Sequence, residues 1–246
     1  MLLRLDRALS SYTAISRSEL RKKIRSGAVS VNGKTVRDET SRIDTGCDRL
    51  LLEGEPVTCG PLYVMLNKPA GFVSATSAPG ERTVLELLPP SLRRKNLFPA
   101  GRLDKDTVGF MLLTDDGAFA HAILSPKRHV PKTYFVRACG MPCGGQDAFA
   151  RAFSEGMLLP GGERCLPAEF ALLSAERETL EARVVLHEGM YHQIKRMFSA
   201  FGCRVSYLRR EKIGGLSLDE ALAEGECRAL TAEEIQLICT PETDKA

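Results

Sequence analysis

The sequence predicts an α+β protein in two parts: a small N-terminal domain of two helices plus a small sheet, joined to a larger domain with a mixed, largely antiparallel sheet. Three observations lead there. Residues 1–37 hold nine Lys or Arg and only two acids, although the whole chain carries a net charge of only +3. Glycines and prolines then cluster at Gly54, Pro56, Gly60 and Pro61, as in a linker. Beyond them strand signals outnumber helix signals and the links are short, which favours antiparallel pairing over a doubly wound parallel sheet. The expected boundaries are 1–57, a linker at 58–62, and 63–246.

Composition narrows the class. A chain of 246 residues suffices for one large domain or two smaller ones. Apolar runs stay well short of the roughly 20 residues of a membrane helix. Arg4, Asp6 and Arg7 break the apolar start, unlike a signal peptide. The eight cysteines form no C-x-x-C pair. Cys139 and Cys143 lack the partners of a zinc site, so reduced cytosolic thiols are expected. The uneven charge suggests an anionic partner for the basic head.

Within that head, Ser16 and Glu19 fit a capping box that opens a helix through RSELRKKIRS. Leu20 and Ile24 form its buried edge, while Arg17, Arg21 and Arg25 make a cationic ridge beside it. Gly27 suits the residue that ends the helix. Val29 and Val31 then alternate into Asn32-Gly33, a two-residue hairpin signal.

In the larger part, LYVMLNKP, VGFMLLT, KTYFVRA, CLPAEFALLSA and TLEARVVLHEG read as strands, the last two as an antiparallel pair. TVLELLP, DDGAFAHAIL and QDAFARAFSEG read as helices. In YHQIKRMFSAFG, Ile194, Met197, Phe198 and Phe201 share an apolar face. His192, Lys195, Arg196 and Ser199 share the opposite one, and RVSYLRREKIGG adds Arg204, Arg209, Arg210 and Lys212, which together suit a polyanion-facing surface.

FPAGRLDKDTVGFMLLTDDG, residues 98–117, holds four aspartates. Asp104 and Asp106 form a D-x-D, but the cations Arg102 and Lys105 beside Asp104 disfavour a magnesium site. Asp106 reads as a turn residue, and Asp115 and Asp116 as caps of the following helix. The cations favour the carboxylate form of Asp104, which suits a nucleophile or electrostatic stabiliser. A structural charge pair serves equally well, and the residues alone leave that choice open.

Longer motifs add to this reading. The first 50 or so residues, with R-x-G-x-V-x-V-N-G at Arg25 to Gly33, resemble the S4 RNA-binding domain. GRLDKDTVGFMLLTDDG is similar to the signature of the pseudouridine synthases, with Phe110 and Met111 in place of usual leucines. KTYFV, EGMYHQIKRMF and YVMLNKPAGFVS stand in that family's order, so the resemblance covers nearly the whole chain. It points to the branch acting on ribosomal RNA, and within it EGMYHQIKRMF, YLRREKIGGLSLD and GECRALTAEEI resemble the small-subunit, RsuA type, which modifies uridine 516 of 16S rRNA. Large-subunit relatives tend to carry a polar pair such as Arg-Asn where Tyr191-His192 stand. The resemblance implies a central active-site cleft with Asp104 as nucleophile, Tyr134 stacking on the target uracil and Lys195 paired with Asp104. It implies RNA contacts at Arg102, Lys132, His192 and Arg196, with Arg17, Arg21, Lys22 and Arg25 on the basic head. No cofactor or metal is called for. The implied partner is 16S rRNA in a partly assembled small ribosomal subunit, bound by a cytoplasmic monomer with no membrane contact. Alternatives are the same chemistry on 23S rRNA, a non-catalytic RNA-binding or ribosome assembly factor, and metal-dependent phosphoryl transfer through the D-x-D.

Overall fold

The computed structural model describes residues 1–125, 128, 130–176 and 178–239. In the first part, β1 (Leu2–Arg4) leads into α1 (Leu5–Tyr12) and α2 (Arg17–Ser26). Then come β2 (Val29–Val31), β3 (Lys34–Thr35), β4 (Arg42–Asp44), β5 (Leu50–Leu52) and β6 (Glu55–Val57). The last four-stranded layer runs β3-β2-β5-β6, and β1 pairs separately with β4. The Ser16 hydroxyl accepts the Glu19 N–H, and Gly27 ends α2 at φ +88°. Leu5, Leu9, Leu20, Ile24, Val29 and Ile43 meet in a separate small core.

One acid organises the basic head. Asp6 is fully buried and accepts hydrogen bonds from Arg4, Arg17 and Arg21. Arg17 makes two of these, at 2.9 and 3.0 Å. Arg25, further along the ridge, pairs with Glu39. The expected ridge is therefore anchored on its inner side by carboxylates, which fix its spacing.

The second part contains β7 (Tyr63–Lys68), β8 (Phe98–Pro99), β9 (Val108–Thr114), α3 (Gly117–Leu124), β10 (Lys132–Cys139) and α4 (Gly145–Glu155). There follow β11 (Glu169–Glu176), β12 (Thr179–Leu186), α5 (Gln193–Ser199), β13 (Arg204–Ile213), β14 (Leu216–Ser217), β15 (Cys227–Ala229) and α6 (Ala232–Cys239). The main path of the sheet is β11-β12-β10-β13-β9-β7-β15, with β14 on β13 and β8 on β9. Among its described ladders only β9 with β13 is parallel. The fold is thus α+β with a mixed, mainly antiparallel sheet.

Two cores sandwich this sheet. Phe149 and Phe153 of α4 and Ile194, Met197 and Phe198 of α5 pack on one face. Ala120 and Ile123 of α3 and Ile238 of α6 pack on the other. Met111 and Leu113 of β9 join the first core, Phe110 and Leu112 the second. Covered on both sides, β9 is buried throughout, which explains its unbroken apolar run. β12 has one covered face, and Leu180, Ala182, Val184 and Leu186 point into it.

TVLELLP forms the expected short helix before Pro89, a single 3-10 turn over Val84–Leu87. Two expectations change. The strand in CLPAEFALLSA begins only at Glu169, since Pro167 precedes it. Asp116 caps α3 by accepting the Phe119 N–H, but Asp115 does not share this task. Asp115 instead accepts the Leu62 N–H and pairs with buried Arg94 at 2.7 Å. Arg94 also donates to the Thr58 and Gly60 carbonyls. The segment between β6 and β7 is thereby held by charge-assisted hydrogen bonds.

Burial works to raise the Asp6 carboxyl, but hydrogen bonds from Arg17 and Arg21 outweigh it and hold the pKa at about 2. Between about pH 3.9 and 2 the unfolded chain takes up a proton that the folded one refuses. This stabilisation is therefore present above about pH 4 and fades as pH falls through 2. Asp6→Asn should destabilise the N-terminal part by about 2–3 kcal/mol at neutral pH and flatten its stability across that acid window. Urea denaturation followed at several pH values checks both effects; an unchanged midpoint would contradict the role of Asp6.

Candidate active site

The site sits where β9 begins. The loop from Arg102 to Thr107 enters this strand, and the Thr107 N–H closes a turn on the Asp104 carbonyl at 3.1 Å. Leu103 anchors the loop in the larger core, while Arg102 is exposed and Asp104 half-buried. Ser74 clamps the loop from the side, accepting the Leu103 N–H and donating to its carbonyl.

From above, α5 supplies the cation. Lys195 Nζ lies 3.0 Å from Asp104 Oδ2 and 2.6 Å from Asp106 Oδ1. Burial opposes the Lys195 ammonium, but hydrogen bonds to Asp106 and Asp104 prevail and raise its pKa. Burial also pushes the Asp106 carboxyl up, and Lys195 more than reverses this. Asp106 stands in the loop's turn, yet it also shares the lysine with Asp104. That sharing was invisible from sequence spacing, since 89 residues separate the partners.

His192 belongs to this cluster in a way the helical pattern did not show. It precedes α5 in the left-handed region, at φ +49°, so it does not lie on the helix face with Lys195. Its Nε2 lies 3.5 Å from Asp104 Oδ1. Arg196 points elsewhere, pairing with Glu163 and donating to the Tyr191 and Pro160 carbonyls. It braces the loops on either side of the site.

Across the sheet, pairing register aligns Tyr134 of β10 with Arg210 of β13, Arg210 with Gly109 of β9, and Gly109 with Lys68 of β7. Strands lie about 4.8 Å apart, so Tyr134 is roughly 10 Å from the Gly109 backbone. Tyr134 is buried with Leu103 in the same core. Lys132, two residues before Tyr134, is half-buried and donates to the Val130 carbonyl. Burial, helped by Arg210, pushes its pKa down to about 8.

Of two buried cations, Arg210 was expected on the polyanion-facing surface and is instead enclosed by the sheet, and Lys68 escaped the sequence reading. Arg210 is 2% exposed; its Nε donates to the Phe110 carbonyl at 2.7 Å, and its Nη2 is buried without a hydrogen-bond partner. Lys68 is 0% exposed and donates to the carbonyls of Pro69, Lys105 and Thr107, tying the loop from beneath. Burial lowers its pKa to about 8, against the pull of Asp106 and Asp104. The NKP stretch carried a lysine at a strand end, but only the fold shows that it points inward.

Among the described residues no group of three His, Cys, Asp or Glu is placed to hold a metal ion. The arrangement is a carboxylate pinned by an ammonium, with an aromatic ring further along the sheet and a basic S4-type unit ahead of it in the chain. These are features of an enzyme that works on RNA. The chain belongs to the RNA pseudouridylate synthase family: that family's model matches residues 62–200, and an S4 domain model matches residues 3–50.

Relatives agree along the full length. The Bacillus subtilis (strain 168) protein named "Uncharacterized RNA pseudouridine synthase YtzG" is 41% identical over 241 residues, spanning 98% of this chain and 100% of its own. The "Ribosomal small subunit pseudouridine synthase A" of Escherichia coli (strain K12) is 41% identical over 235 residues, spanning 95% and 98%. A solved structure described as a crystal structure of pseudouridylate synthase superposes with a TM-score of 0.65 at 40% identity, covering 96% of this chain and 99% of that one.

Lys68→Met leaves three carbonyls of the loop and its approach without their donor. It should lower the melting temperature by several degrees and slow isomerisation by about a hundredfold through a displaced Asp104. Melting curves and single-turnover rates test this, and wild-type values in both would remove Lys68 from the role.

Proposed function

We propose that this protein converts one uridine of small-subunit (16S) ribosomal RNA, of the position-516 type, to pseudouridine. The supporting observation is the Asp104–Lys195 pair at 3.0 Å beside a loop anchored from below by Lys68. The reaction breaks the C1′–N1 glycosidic bond and forms a C1′–C5 bond to the same uracil, C5 losing its proton and N1 gaining one. Nothing is oxidised and no group is carried away.

Asp104 serves as the nucleophile, or as the base where the route begins at C2′. Its carboxylate adds to C6 of the ring, attacks C1′, or takes the C2′ proton; each route needs an ionised carboxylate, and Lys195 and His192 surround it. Tyr134 offers a flat partner that retains the detached uracil while it turns. The target base must leave its RNA stack to arrive there, at a cost of a few kcal/mol. Phosphate contacts from Arg17, Arg21, Lys22 and Arg25 of the S4 unit, and from exposed Arg102, offset that cost. Arg196 and Lys132, engaged with Glu163 and the Val130 carbonyl, contribute by bracing the site rather than as free cations.

The small-subunit assignment draws on the relatives named for that substrate and on Tyr191-His192 before α5. Recognition of folded RNA through shape and phosphates by the S4 unit favours a partly assembled small subunit as the form bound.

Asp104→Asn should abolish tritium release from C5-labelled uridine RNA while RNA affinity stays within about threefold; full activity in this variant would sink the mechanism. Mapping pseudouridine in both rRNAs from cells lacking the protein should show one missing site in 16S rRNA. A missing site in 23S rRNA instead would reassign the substrate.

A further inference from the structure

The most exposed aromatic ring beside the site has no task in the chemistry above. Tyr191 is 77% exposed. Its ring stacks on the His192 imidazole with centroids 3.8 Å apart and planes 17° from parallel. The same imidazole reaches Asp104 at 3.5 Å. One face of the tyrosine covers the histidine, and its exposure leaves the other open to solvent.

The backbone beneath this pair is held rather than loose. The Tyr191 carbonyl accepts from Arg196, and the His192 carbonyl accepts the Arg196 N–H at 2.9 Å. Gln193 links the Met190 N–H to Glu188 just before them. His192 adopts a left-handed conformation at φ +49°, which costs a non-glycine residue of order 1 kcal/mol or more. The strain turns the chain so that the two rings stack at the rim of the site.

We infer that Tyr191 is a substrate-contact residue that stacks on the nucleobase next to the target uridine, replacing the stacking partner which that base loses when the uridine is extruded. The inference rests on the functional reading above. The target itself must lie on the Asp104 side of His192 to meet the carboxylate. A base on the open face of Tyr191 is two stacking layers from the imidazole, so it belongs to a neighbouring nucleotide. Every base has a π-face, so this contact favours extrusion without reading sequence.

The test uses the full-length protein and a 16S rRNA fragment containing the mapped uridine, with 2-aminopurine placed in turn on each side of it. In the Asp104→Asn background, which binds without turnover, the probe on one side should be quenched in the complex. Adding Tyr191→Ala should relieve that quenching severalfold, and adding Tyr191→Phe should preserve it. With Asp104 intact, Tyr191→Ala should lower single-turnover kcat/KM by roughly ten- to a hundredfold, and Tyr191→Phe should restore it to within about threefold. The melting temperature should be unchanged, because the ring is exposed. Unchanged fluorescence and rate in Tyr191→Ala overturn the inference, as does equal loss in the phenylalanine variant. Absence of pseudouridine with the wild-type protein overturns the functional reading instead, and the fluorescence still decides whether a base stacks on Tyr191.

Discussion

The parallel contact between β9 and β13 is narrow, with two register pairs, and the architecture of the site depends on it. It joins the antiparallel half β11-β12-β10-β13 to the antiparallel half containing β9, β7 and β15. Gly109 makes the approach possible. It sits at φ +95°, and a Cβ there would lie 2.4 Å from the Arg210 carbonyl oxygen. Arg210 reaches across and donates to the Phe110 carbonyl, linking the strands a second time. The motif glycine is therefore a condition of sheet continuity, and through the sheet it sets where the Asp104 loop meets α5.

Above this junction, one lysine faces two carboxylates. Lys195 is closer to Asp106 than to Asp104, yet Asp106 is the more exposed of the two. Water screens the exposed partner more effectively, so the half-buried Asp104 feels the ammonium at a lower effective dielectric. The D-x-D spacing thus yields two acids in different environments around one cation. Lys68 adds a second positive charge from below, where its three carbonyl partners replace water. The two lysines fix the place of the Asp104 loop, so its carboxylate is positioned before any ligand arrives.

Cations expected to face RNA divide by what they touch inside the protein. Arg17 and Arg21 share buried Asp6, and Arg25 holds Glu39, so their positions are set before any RNA arrives. An arginine held at one end loses less conformational entropy on meeting a phosphate. Arg94 plays the corresponding part between the small N-terminal core and the larger sheet, stacking its guanidinium over the Tyr12 ring at 5.3 Å while gripping Asp115 and the Thr58 and Gly60 carbonyls. One buried cation thereby touches α1, the linker and the strand end after β9.

The amino-acid sequence alone determined many of the elements, because capping, glycine punctuation and apolar periodicity act over a few residues; β13, β15 and α6 were not read from it. The bounds of α2, the Asn32-Gly33 turn, the doubly covered β9 and the antiparallel β11–β12 pair were legible in this way. Asp104 and Lys195 were legible only through motifs that resemble a family, since no local rule connects residues so far apart. What remained was decided by tertiary structure. Asp115 serves the Leu62 N–H and buried Arg94 rather than the helix, and His192 left the helix face because the chain turns left-handed there. Lys68 and Arg210 became buried cations because register placed both on one row beneath the Asp104 loop. Side-chain direction and desolvation depend on which strands become neighbours, and that is a property of the folded sheet rather than of any stretch of sequence.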